Sequence, residues 1–73
     1  MRLDYDPSVD AAYIRLRDVA VVSTEEIAPG VMLDLAVDGR PVGLEVLHAS
    51  EVFDGPPSGV EFKLLARSPA GSR

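Results

Sequence analysis

The run "VMLDLAVDGRPVGLEV", residues 31–46, constrains the fold of this chain more than any other stretch. Val31, Leu33, Leu35 and Val37 recur at every second position, and so do Val42, Leu44 and Val46. A period of two marks a half-buried strand. Asp38-Gly39 lies between the two runs. It is the strongest short-range hairpin signal, because both central residues of a type I′ turn need positive φ. With Asp38-Gly39 as a two-residue loop, Leu35 pairs with Val42, Leu33 with Leu44 and Val31 with Val46. Pro41 then opposes Ala36 at a non-hydrogen-bonded pair, where its missing N–H is harmless.

The same residues imitate a calcium loop. Counted from Asp34, acids stand at the first, fifth and twelfth positions (Asp34, Asp38, Glu45) and Gly39 at the sixth. A calcium loop also needs an oxygen ligand at its third position and helices on both flanks. Ala36 supplies no side-chain oxygen, Pro41 stiffens the loop, and both flanks read as strands. The expectation is a turn that binds no metal.

Upstream, "RLDY", "DPSVD" and "AAYIRLR" read as strand, turn and strand, with Pro7, Asp6 and Asp10 supplying the turn chemistry. Leu3 pairs with Ile14 and Tyr5 with Ala12, leaving Tyr13, Arg15 and Arg17 on the opposite face. "VVSTEEIAPG" is expected to form an exposed third strand ending at Pro29-Gly30. Beyond it, Ser50 is placed to cap one helical turn through "EVFD", stopped by "GPP". Residues 58–67 carry two signals. Ser58 and Glu61 have capping-box spacing, but Val60, Phe62 and Leu64 alternate as a strand does, and the strand is preferred.

The fold class that follows is mainly β: a small antiparallel sheet of hairpins in a meander, with one short helix near the C-terminus. An α+β arrangement is the alternative. Residues 1–67 form a single domain and 68–73 a frayed tail.

Composition narrows the function. The 73 residues contain no cysteine, which removes disulfides and thiolate chemistry and favours a cytoplasmic setting. No apolar run approaches the ~18 residues of a membrane span, so no membrane partner is expected. Twelve acids against seven Lys and Arg give a net charge of −5 with the basic residues scattered, so no nucleic-acid partner is expected.

Three residues form the only candidate reactive set: Asp34, Glu45 and His48. Asp34 and Glu45 fall diagonally on one sheet face, but a general acid–base pair needs surroundings that push the two pKa values apart. Gly43 opposite Asp34 and Met32 opposite Glu45 promise no such pocket. Solvated acids balanced by Arg15 or Arg17 are the simpler reading. His48, the only imidazole, lacks a recognisable nucleophile and orienting group. Tyr13 suits either a surface aromatic or an interface anchor. No catalytic, cofactor-binding or metal residues are assigned.

Several stretches in order carry a family resemblance: "YD" at Tyr5-Asp6, "DAAYI" from Asp10 to Ile14 and "PGV" from Pro29 to Val31. Asp34, Asp38-Gly39 and "VGLEVLHAS" from Val42 to Ser50 complete the series. Over residues 3–52 the chain resembles an uncharacterised bacterial family of very short proteins, domain of unknown function 2283. The resemblance implies a small sheet-based domain, commonly followed by a short helix, with no established activity. Some relatives resemble one half of two-gene modules of the toxin–antitoxin kind, which implies a small protein partner. The tail from Phe53 departs from the family pattern.

The expectation is a non-enzymatic structural or protein-interaction domain that self-associates as a homodimer, with a small protein as a possible further partner. The alternative is a small hydrolase or metal-dependent enzyme using Asp34, Glu45 and His48.

Overall fold

The first hairpin joins β1 (Arg2–Asp6) to β2 (Ala11–Arg15) in the computed structural model, which describes residues 1–66. Leu3 faces Ile14 and Tyr5 faces Ala12, the pairing that apolar alternation demands. Asp6 shapes the turn by accepting hydrogen bonds from the Ser8 amide (3.0 Å) and hydroxyl (2.7 Å). Asp10 closes it at φ 55, a left-handed conformation that Asp tolerates better than most residues.

The exposed β3 (Ser23–Ala28), β4 (Val31–Leu35) and β5 (Pro41–Leu47) form a three-stranded meander. Pro29 and Gly30, the latter at φ 77, turn β3 into β4 with the residue order of a type II turn. A bulge at Ile27 interrupts the ladder just before it.

Sheet order is β1-β2-β5-β4-β3, antiparallel throughout. The non-local step is β2 beside β5, which places Ala12 against Val46 and Ile14 against Leu44. Residues 16–22 therefore carry the chain across the β4–β5 end of the sheet to the far edge. The Leu16 and Arg17 amides donate to the Val42 carbonyl, and the Val22 amide to that of Leu35. Arg17 also forms a two-pronged ion pair with Asp38 at 3.2 and 2.9 Å.

The β4–β5 loop differs in detail from the expected two-residue type I′ turn. It has three residues, 37–39, closed by the Ala36 amide on the Arg40 carbonyl (3.0 Å) and the Gly39 amide on the Ala36 carbonyl (2.9 Å). Gly39 lies at φ 80, whereas Asp38 is not at positive φ. A three-residue loop slips the register by one, so Leu35 pairs with Pro41 rather than with Val42. The bulge at Val42 takes up that slip and restores Leu33–Leu44 and Val31–Val46 as expected.

The helix α1 (Ala49–Val52) begins two residues earlier than expected. Ser50 lies inside it, and His48 occupies the capping position at φ 52 without a side-chain cap. The strand preferred for Val60, Phe62 and Leu64 is not formed, and neither is a helix: residues 56–66 have no regular structure. Their alternation meets no partner strand among the described residues, and a strand without a ladder leaves its backbone groups to water. Residue 67 and the expected frayed tail 68–73 lie outside the described residues.

Packing is thin. Ala12, Ala36, Val42, Val46 and Ala49 are the buried apolar side chains, and Ala49 sits with Tyr5 over Ala12 and Val46. Among the described residues, no Leu, Ile, Met or Phe is buried. No described helix is long and apolar enough to cross a membrane.

Candidate functional site

On the polar face, the β2–β5–β4 register lines up Arg15 with Gly43 and Asp34, and Tyr13 with Glu45 and Met32. Tyr13 leans across Gly43, where an added β-carbon would lie 2.5 Å from its hydroxyl oxygen. The ring uses that gap to reach over β5. Its hydroxyl donates to Asp34 Oδ2 at 2.8 Å, and Thr24 on β3 donates to Asp34 Oδ1 at 2.7 Å. One carboxylate thereby ties three strands, β2, β3 and β4, across β5. The Arg15 guanidinium carbon lies 5.4 Å from the centre of the Tyr13 ring, within cation–π range. Partial burial, then the bond to Asp34, raises the Tyr13 pKa above that of a free phenol.

A second carboxylate organises the helix end. Asp10 Oδ1 accepts the Tyr5 hydroxyl at 2.7 Å and the Ser50 amide at 3.1 Å. Oδ2 accepts the Ser50 hydroxyl at 2.7 Å, and the Asp10 carbonyl accepts the Ala49 amide. Asp10 thus caps α1 from forty residues away, the task assigned in the sequence to Ser50. The bonds from Ser50 and then Tyr5 lower the Asp10 pKa, while the bond to Asp10 raises that of Tyr5. Both shifts hold the proton on the phenol and the charge on the carboxylate. Proton exchange needs matched values, so this geometry works as a latch.

Of the candidate trio, Asp34 and Glu45 share the polar face around Tyr13, as expected, and His48 stands apart at the start of α1. Asp34 is engaged by two hydroxyls, and Glu45 lies beside Tyr13 across the β2–β5 pair. His48 is exposed at the start of α1. Arg17 balances Asp38 rather than Asp34 or Glu45. Among the described residues, no group of three His, Asp or Glu side chains is placed to share a metal ion.

Sequence reasoning missed Thr24, Asp10 and Ser50 as partners. Gly43 within a strand did carry a signal, since such a glycine marks a close approach by another group. The Asp10–Ser50 bond had none, because neither residue lacks a local role in its own turn.

The sequence pattern of a family described as a protein of unknown function (DUF2283) matches residues 2–50, more than half of the chain. The chain belongs to the DUF2283 family. Both carboxylate networks fall within the matched span, which ends at Ser50, the Asp10 donor. No match emerged among curated proteins, nor among solved structures.

Proposed function

We propose that this DUF2283 chain is a non-enzymatic protein-interaction domain of the cytoplasm that works as a homodimer. One observation carries the reading: the apolar sheet face is only partly covered by the rest of the chain. Leu3, Ile14, Leu33, Leu35 and Leu44 share that face by register, yet none is buried. The helix covers only the end at Ala12 and Val46. Fully burying one such side chain contributes about 1.5–3 kcal/mol, so a second copy across this face would add what a single chain lacks. The engagement of Asp34 and Asp10 in hydrogen bonds supports the non-enzymatic part, since both acids already hold the fold together.

Light scattering coupled to size exclusion tests the assembly. A mass near twice 7.8 kDa is expected; a mass that stays at one chain up to high concentration defeats the homodimer. A panel of hydrolase substrates and metal ions tests the rest. Turnover that disappears in Glu45→Gln would assign the chain to the enzymes instead.

A further inference from the structure

The sheet ends in two open edges, β1 and β3, and residues 60–64 form an apolar segment with strand patterning that pairs with no strand among the described residues. We propose that residues 60–64 of one copy add to the β1 edge of a second copy as a sixth strand, reciprocally. This rests on the homodimer reading and adds an edge contact between the two copies to the covered face. Val60, Phe62 and Leu64 are 71%, 78% and 86% exposed, although they alternate as one face of a strand. The preceding residues, from Phe53 to Val60, line a cavity together with Leu3 and Ile14 of their own sheet, which brings the start of the segment near β1.

The two edges are not equivalent receivers. β3 is interrupted by the Ile27 bulge and carries Glu25 and Glu26 side by side, features that keep an edge unpaired. β1 is regular over its whole length and presents Leu3 and Tyr5 on the apolar side. Charge then selects a direction. In a parallel register with Phe62 beside Leu3 and Leu64 beside Tyr5, Glu61 falls beside Arg2 and Lys63 beside Asp4. The antiparallel alternative with the same Phe62–Leu3 pairing sets Glu61 against Asp4 and Lys63 against Arg2. Opposite charges across neighbouring strands favour pairing and like charges oppose it. Strand addition at an exposed edge, with side chains filling the apolar side, is an established mode of association.

The experiment uses the full chain. Phe62→Asp with Leu64→Asp alters side chains that are exposed within one copy, so the fold should survive. The dimer dissociation constant, measured by sedimentation, is expected to rise by at least about tenfold. An unchanged dimer in that variant overturns the tail exchange while leaving the homodimer intact. A wild-type chain that stays monomeric defeats the homodimer reading and the exchange with it. Lys63→Asp and Asp4→Lys should each weaken self-association, and mixing the two variants should restore a heterodimer, because each tail then meets an opposite charge on the other copy. Absence of that rescue overturns the parallel β1 register.

Discussion

Two tyrosine–aspartate hydrogen bonds of nearly equal length hold different things in this molecule. Tyr5 reaches Asp10 at 2.7 Å within a single hairpin, and Tyr13 reaches Asp34 at 2.8 Å across three strands. The first carboxylate also takes two donors from Ser50, so the pair fastens a helix to the sheet. The second also takes Thr24, so the pair fastens strands to each other. The same chemistry gives a latch in one place and a cross-tie in the other. What differs is the neighbour: a helix start with unsatisfied N–H groups, or a glycine gap in a strand.

The cross-tie breaks most severely at Gly43. A β-carbon there would meet the Tyr13 hydroxyl at 2.5 Å and the Ile14 carbonyl oxygen at 2.7 Å. The ring can swing away, but the backbone oxygen of a paired strand cannot. Gly43→Val should therefore destabilise by about 3 kcal/mol, the upper end of the usual range for overpacking a buried site. A urea curve matching the parent would show that Tyr13 does not depend on that gap.

The latch breaks at Asp10. Asp10→Ala strips the acceptor from the Tyr5 hydroxyl and from both Ser50 donors, and places alanine at φ 55. The expected result is a released helix, with the Ala49 and Ser50 amides exchanging freely while the sheet amides stay protected. Asp10→Asn, which keeps an acceptor and tolerates that backbone, should preserve much of the protection. Equal loss across the whole chain would mean that the helix and sheet unfold as one unit.

How much of this was legible follows from which contacts are periodic. Leu3–Ile14, Tyr5–Ala12, Leu33–Leu44 and Val31–Val46 were readable because a period of two forbids a one-residue slip and the turn residues fix where each hairpin folds. The bulge at Val42 was not, since a two-residue loop and a three-residue loop with a bulge give the same apolar pairs beyond it. Gly39 at positive φ satisfies both. Pairing of β2 with β5 joins residues some thirty positions apart with no turn between them, and without it Tyr13 cannot be placed over Gly43. The helix start moved to Ala49 for a similar reason: its cap comes from Asp10, beyond any local capping rule.

A smaller effect tests whether the two pairs are independent. Tyr13→Phe removes one donor while Thr24 still serves Asp34, so the cost on this half-exposed face should stay under about 1 kcal/mol. Tyr5→Phe should loosen the helix and leave the polar face untouched. The doubly substituted chain should then show additive losses within about 0.5 kcal/mol, as for sites without shared partners. A larger departure would indicate that the latch and the cross-tie act through β2 as one network.

The smallest effect belongs to a third aspartate, which has neither a tyrosine partner nor burial. Arg17 holds Asp38 in a two-pronged bond, the Arg40 amide adds another, and together they lower its pKa to about 2. An unfolded aspartate titrates near ~3.9, so the folded state favours the charged form. Its contribution is therefore complete above about pH 4 and is lost as pH falls toward 2. Asp38→Asn should remove that part of the acid dependence, measured as the difference between parent and variant denaturation curves from pH 5 to pH 2. The pair is solvent-exposed, so the difference should be small and should shrink further in molar salt. A difference that persists at high salt would make the Arg17–Asp38 clasp a structural tie of the same rank as the two tyrosine pairs, fixing the crossover over the hairpin end.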